Sequence, residues 1–382
     1  MRISSFHAFS ESEKPNLTKD QIDFLDAICN VSLSKWRMEK GFVNIEGNFD
    51  ASYSDLVDLK GLKFGKIQGN FDISDNSIKN LTGCPKTVQG DFLCSANLLT
   101  SLEGGPEVVT GEYNFANNDI FSTLGIGKGM TSIMGSGNNL ESLEGCPESL
   151  SGDFFVANNA TLQNLSGGPK EVGGDYDCSN CSLSSLDGCA QKVGGFFNCS
   201  SNELKTLDGG PEEVEGMYFC TNNELRTLSG VANKIGKMLV IGANKNLLDL
   251  SGIPLEILTS DLENKLSINE TGLPPAIVKS QLAFLKENKT LNGWLKSFIQ
   301  KDYKSLPQIF NRQYSESGKE ILDSLKLIEF SYESPEVLSQ IVKFFPEWES
   351  LIVKYFKDNK DKFSPDFQEA SGLYLDLKDL GF

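Results

Sequence analysis

Along the chain, apolar and polar positions alternate over a few residues, then recur at wider spacing, and the pattern restarts every 20–22 residues. It is plainest in Gly90-Asp91-Phe92-Leu93-Cys94-Ser95-Ala96-Asn97-Leu98-Leu99-Thr100-Ser101-Leu102-Glu103-Gly104-Gly105-Pro106, closed by Val109 before Gly111. Ten copies run from Gly47 to about Glu256, starting at Gly47, Gly69, Gly90, Gly111, Thr131, Gly152, Gly174, Gly195, Gly216 and Lys237. One such unit cannot bury its apolar side alone, so self-similarity at this period predicts a solenoid whose coils cover one another.

The alternation predicts a short strand at the start of each copy, with Phe92 and Cys94 on one side and Asp91 and Leu93 on the other. Stacked copies then form one parallel sheet. The turn after the strand bares backbone donors and acceptors that need partners. Asn76, Asn97, Asn118, Asn138, Asn159, Asn202, Asn223 and Asn244 recur where a buried amide can bridge adjacent coils, with Ser54 and Cys181 as missing rungs. Leu99 and Leu102, and their counterparts such as Ile78/Leu81 and Leu204/Leu207, are expected to fill the core behind the sheet.

On these residues the chain resembles the leucine-rich repeat family, whose L-x-x-L-x-L-x-x-N-x-L core can be laid over Phe92, Cys94, Asn97 and Leu99. The first leucine of that pattern is shifted, with Val88, Val109, Leu150, Val172, Val193, Val214 and Ile235 standing just before each repeat start instead. The short unit, with its Gly, Asn, Cys and G-x-P turn, is also similar to leucine-rich repeat proteins of large tailed bacteriophages, a likeness that brings no activity with it. The family resemblance implies a horseshoe with the sheet on its concave side and a ladder of asparagines.

The fold class expected is therefore α+β: a parallel-sheet solenoid of about ten repeats over residues 47–256, a helix and strand cap over 1–46, and an all-α domain over 257–382. In the cap, Thr18-Lys19-Asp20-Gln21 has capping-box form ahead of Ile22, Phe24, Leu25 and Ile28, and Phe42-Val43-Asn44-Ile45 alternates like a strand able to pair with the first repeat. Beyond Ile253-Pro254 the repeat dissolves and helical spacing replaces it, giving candidate helices at Pro275–Asn288, Leu291–Gln300, Glu316–Glu329, Pro335–Phe344 and Glu347–Asp358.

Charge changes the picture of partners. The net charge is −17, and residues 47–256 hold 13 basic against 26 acidic side chains. Such a surface repels a phosphate backbone and favours a basic partner. No stretch approaches the length of an apolar membrane span, and Arg2, Ser4, Ser5, His7 and Ser10 break the N-terminal apolar residues, so neither a membrane segment nor a signal-peptide core is expected. Eight of the nine cysteines lie in the repeats at positions the repeat dictates, which marks them as small buried hydrophobes of a cytoplasmic protein and not as a secreted disulfide framework.

Catalytic and ligand-binding patterns are sparse. Cys178-Ser179-Asn180-Cys181 has C-x-x-C form, yet Cys178 falls on the core strand position and Cys181 on a ladder position. His7 is the one histidine, leaving little for a Ser-His-Asp triad or a histidine-rich zinc site. Leu124-Gly125-Ile126-Gly127-Lys128-Gly129 lacks the order of a phosphate loop and marks an irregular fourth repeat. No cofactor or metal site is expected.

The outward strand residues remain. They are acidic or amide-bearing in the first copies and turn apolar in the last, which singles out Asp153, Phe155, Asp175, Asp177, Phe196, Met217, Phe219, Met238 and Val240 as a surface for another protein bearing a basic or apolar anchor. The leading expectation is a non-enzymatic interaction protein, in the cytoplasm of a host cell or in a virion, with its oligomeric state open. An acidic mimic of nucleic acid, and an enzyme with its site in 257–382, are the alternatives.

Overall fold

In the computed structural model, the described residues are 17–247, 250, 252–254, 257, 262–275, 278–279 and 282. Those up to Glu203 together with Gly209–Cys220 form one compact unit, and Leu204–Asp208 with those from Thr221 onward form another.

The first unit is a parallel-strand β-solenoid of about nine turns. It opens on helix α1 (Lys19–Val31), where the Thr18 hydroxyl accepts the Gln21 N–H at 3.3 Å and the Gln21 side chain accepts the Thr18 N–H at 2.9 Å. Both ends of the capping box are thus closed. Leu25 and Cys29 are buried, and the Phe24 ring packs edge-on against Phe49 at 6.2 Å. An antiparallel hairpin follows, β1 (Lys35–Glu39) with β2 (Phe42–Glu46), and β2 pairs in parallel with Phe64–Ile67 in the first repeat.

Each coil then carries the strand the alternation predicts. Phe49–Asp50, Phe71–Asp72, Phe92–Leu93, Glu112–Asn114, Ser132–Met134, Phe154–Phe155, Tyr176–Asp177, Phe197–Asn198 and Tyr218–Phe219 pair in parallel, in chain order and in register. Their inward residues form a column of rings. Phe49, Phe71, Phe92 and Tyr113 lie 4.9–5.9 Å apart between neighbours, and Phe154, Tyr176, Phe197 and Tyr218 continue it at 5.0–5.4 Å beyond Ile133. All are fully buried.

The apolar residue before each repeat start has a role of its own, because it belongs to a second line of parallel strands. Phe64–Ile67, Thr87–Val88 and Val108–Val109 pair in one piece, and Ser149–Leu150, Glu171–Val172, Lys192–Val193 and Glu213–Val214 in another. Between the two pieces, at the irregular glycine-rich repeat, only an isolated bridge joins Val108 to Lys128. Apart from the irregular one, each coil of this unit is therefore two strands around a corner, with helix α1 the only helix in the described part of the unit.

Asparagine rungs hold the coils together. Asn97 Oδ1 accepts the Ile78 N–H of the preceding coil at 2.9 Å, while its Nδ2 donates to the carbonyls of Ile73, Cys94 and Ser95. Asn76, Asn118, Asn138, Asn159 and Asn202 accept in the same way from Leu56, Leu99, Ile120, Leu140 and Leu183. At the missing rung, Cys181 Sγ points at the Val156 carbonyl at 3.4 Å, but a thiol offers no comparable acceptor, and the Leu162 N–H donates to Asn159 O instead. The residue ahead of several rungs is left-handed, with φ of 50° at Ala96 and 58° at Ser201, so the ladder holds ordinary residues where glycine is the usual occupant.

In the second unit Asn223 and Asn244 accept from Leu204 and Leu225, which extends the ladder chemistry. Leu239–Val240 pairs in parallel with Leu266–Ser267, after the short helix Leu262–Lys265. A coil thus lies beyond Glu256, where the sequence pattern has dissolved: Leu266 is buried in the inward position, and the Ile241 and Ala243 N–H groups donate to Ser267 and Asn269. The all-α domain expected over 257–382 therefore begins differently, with the strand Leu266–Ser267 continuing the sheet, while the candidate helices beyond Leu282 and residues 1–16 of the cap lie outside the described residues. Among the described residues no helix is long and apolar enough to cross a membrane.

Candidate functional site

Parallel register places every second strand residue on the open side of the ring-bearing sheet. Asp50, Asp72, Leu93, Asn114, Met134, Phe155, Asp177, Asn198 and Phe219 form one row there. The residue just before each inward ring forms a second row beside it: Asn48, Asn70, Asp91, Glu112, Ser132, Asp153, Asp175, Phe196 and Met217.

This second row is itself a ladder. Asn48 Oδ1 accepts the Asn70 N–H at 2.9 Å, Asn70 accepts from Asp91 at 3.0 Å, and Asp91 from Glu112 at 2.8 Å. Further on, Ser132 Oγ accepts the Asp153 N–H at 3.0 Å, Asp153 accepts from Asp175 and Asp175 from Phe196, both at 2.8 Å. The glycine that opens the copies at Gly69, Gly90, Gly111, Gly152, Gly174 and Gly195 has a matching reason. A Cβ there would collide with the oxygen that the preceding coil sends across. The Gly-Asp pairing of the repeat is a hydrogen bond and the space it needs.

Two carboxylates expected to meet a partner, Asp153 and Asp175, therefore each hold a backbone N–H with one oxygen. Asp177 does so too, accepting the Ser179 N–H at 2.9 Å, as Asp72 and Asn198 do for Ser74 and Ser200. The second oxygen of Asp153, Asp175 and Asp177 has no protein donor among the described residues. Two ion pairs stand elsewhere, Arg37 with Glu46 and Lys86 with Glu107. Burial raises the Glu112 carboxyl from its ordinary value against the Asn114 hydrogen bond, which lowers it, and the like charges of Asp91 and Asp153 push the same way as burial. The face carries uncompensated negative charge.

Where the ladder row gives out, rings take over. Phe155 and Phe196 reach toward each other across the Asp175–Asp177 coil, with centroids 6.2 Å apart and planes 22° apart, and Phe196 meets Phe219 edge-on at 6.1 Å and 81°. Met217 sits beside them in the second row. All four side chains are half-buried, as are the three carboxylates. The structure thus brings together seven of the nine residues singled out. Met238 and Val240 belong to the second unit, where both are half-buried and flank the buried Leu239.

Sequence reading missed the backbone role of the ladder row, although the recurrence of Asn, Asp or Ser directly after the glycine signals it. It also missed a groove of ≈ 370 Å³ on the second line of strands, with Ser149, Glu171, Lys192, Glu213 and Glu215 around Gly173 and Gly194. A Cβ on either glycine would strike the carbonyl of the coil before it, so close backbone approach accounts for both.

Seven of the nine cysteines are buried, and Cys146 and Cys181 are half-buried. All nine are free, and burial raises the thiols; Cys178 lies well above its ordinary value and Cys181 at about 11. A thiolate is disfavoured at both positions of the C-x-x-C string. Among the described residues no group of three or more His, Cys, Asp or Glu is arranged to hold a metal ion. Comparison of the chain with protein-family models, curated proteins and solved structures finds no match.

Proposed function

We propose that this chain is a non-enzymatic protein-binding solenoid of leucine-rich repeat type, and that the open side of its ring-bearing sheet is the partner surface. The observation that carries the reading is the half-buried run Phe155, Phe196, Met217 and Phe219, set beside carboxylates whose second oxygens lack protein donors. A soluble protein gains little by holding aromatic rings together at its surface, and such clusters are the composition of interface cores. The strand backbones of this sheet bond to neighbouring coils, so a partner has only side chains to recognise. The resemblance to proteins of tailed phages suggests two settings, a virion or the cytoplasm of an infected host. Copurification with particles, against a free complex in the lysate, separates those settings.

Affinity capture from the native host, comparing wild type with Met217→Asp/Phe219→Asp, tests the reading. Both positions face outward, so the variant keeps its circular dichroism spectrum while losing the captured protein. Capture of the same protein by both forms would sink the proposal.

A further inference from the structure

We infer that the run Phe155–Phe196–Phe219 and its neighbouring carboxylates Asp175 and Asp177 accept arginine side chains from an extended segment of the partner protein. This inference rests on the proposed use of the same face and names the chemistry recognised there.

Three observations lead to it. The face combines π surfaces with carboxylates, and a guanidinium suits both, since it stacks on aromatic rings and forms paired hydrogen bonds to a carboxylate. A purely apolar ligand would leave the carboxylates beside it dehydrated, and an anionic one would be repelled. Second, the rings are held at 22° and at 81° to one another, so the run turns ring faces in two nearly perpendicular directions. The run therefore gathers π surface of more than one orientation within 6.2 Å centroid spacings. Third, no described Lys or Arg pairs with Asp175 or Asp177, and each keeps one oxygen free of protein donors while the other is fixed by a backbone N–H. That bond locks the carboxylate's orientation, so a bound guanidinium need not freeze it.

Phe155 and Phe219 lie three coils apart, roughly 14 Å at the usual strand spacing. An extended peptide repeats its same-side residues every ~7 Å, so two or three arginines at alternate positions span the run. Lysine fits less well, because its compact, strongly hydrated ammonium neither stacks nor pairs in two places.

Fluorescence anisotropy of the full chain with labelled peptides tests this. One peptide alternates arginine with serine, and a second carries glutamine at the same places. The arginine peptide should bind, more weakly as salt rises, and the glutamine peptide should not. Phe155→Leu/Phe196→Leu keeps apolar volume and removes the π faces, and should weaken binding at least about fivefold. Asp175→Asn/Asp177→Asn should weaken it similarly and flatten the salt dependence. This variant folds by the protein's own precedent, since Asn70 and Asn198 hold the same backbone bonds natively. Equal binding of the two peptides, or no binding of either, overturns the inference, and so does indifference to the leucine variant. If the arginine peptide fails while Met217→Asp/Phe219→Asp still abolishes capture from the host, the face binds a partner by other chemistry and the broader reading survives. If capture is also unchanged, both fall.

Discussion

The two sides of one sheet follow different rules. On the buried side the same residue types return in coil after coil: a ring at Phe92, Tyr113, Phe154 or Phe197, then an asparagine rung at Asn97, Asn118, Asn159 or Asn202. On the open side the occupants drift, from Asn48, Asn70 and Asp91 to Phe196 and Met217 in one row, and from Asp50 and Asp72 to Phe155 and Phe219 in the other. Repetition marks what every coil needs in order to stack. Drift marks positions released from that need, and the rings collect there.

The strongest challenge to that contrast is a single rung. Asn97→Ala leaves the buried Ile78 N–H without its acceptor and takes one of two donors from each of the Ile73, Cys94 and Ser95 carbonyls, which keep Asn76, Asn118 and the Asp75 N–H respectively, so stability should fall by about 2 kcal/mol. Chemical denaturation reads this as a lower midpoint, and an unchanged midpoint would remove the distinction between the two sides.

The open side should be gentler and graded by hydrogen-bonding ability. Asp153→Ala takes the acceptor from the Asp175 N–H at a half-buried site and should lower stability by about 1 kcal/mol, whereas Asp153→Asn should lie within a few tenths of wild type. If Asn is as damaging as Ala, charge and not the backbone bond is what the row supplies.

The buried column also has positions where its own repetition is imperfect. The Tyr113 hydroxyl is buried with no hydrogen-bond partner, where Phe92 in the adjacent coil carries none to satisfy. Tyr113→Phe should therefore raise stability, by up to about 1 kcal/mol, since an unsatisfied polar group disappears. A loss on the same melting curve would mean the hydroxyl has a partner in solution.

The smallest effect lies at Glu112, whose carboxyl is raised first by burial, then by Asp91 and Asp153, with the Asn114 amide opposing. A raised carboxyl means the native state holds its proton more firmly than the unfolded state. Its contribution is therefore most favourable below the unfolded value and is lost as pH climbs through the folded one. Glu112→Gln keeps an acceptor for Asn114 and should stabilise at neutral pH, with the gain fading in acid; an equal gain across the whole range would assign it to something other than titration.

Much of this was legible in the residues. The strand at Phe92–Leu93, the inward Phe92 and Cys94, the rungs from Asn76 to Asn244 and the capping box at Thr18 all follow from periods and spacings of a few residues, which local geometry enforces. The second line of strands was less legible, because Val88 and Val109 lie only a corner away from the next strand and two residues of sheet carry no alternation of their own. The coil at Leu266–Ser267 was hidden for a related reason: it pairs by backbone with Leu239–Val240 without repeating the side-chain pattern.

Sequence alone determined that this chain stacks, which side of each coil is buried and where the rungs fall, because those properties repeat with the chain. Only the tertiary structure decided what the open-face carboxylates do. Asp153 and Asp175 look like free surface charges when read one residue at a time, yet each reaches the backbone of the following coil, more than twenty residues onward, through space that a glycine leaves open. It likewise decided that Phe155 and Phe196, 41 residues apart, meet over the coil between them, because contact across coils is set by register and not by distance along the chain.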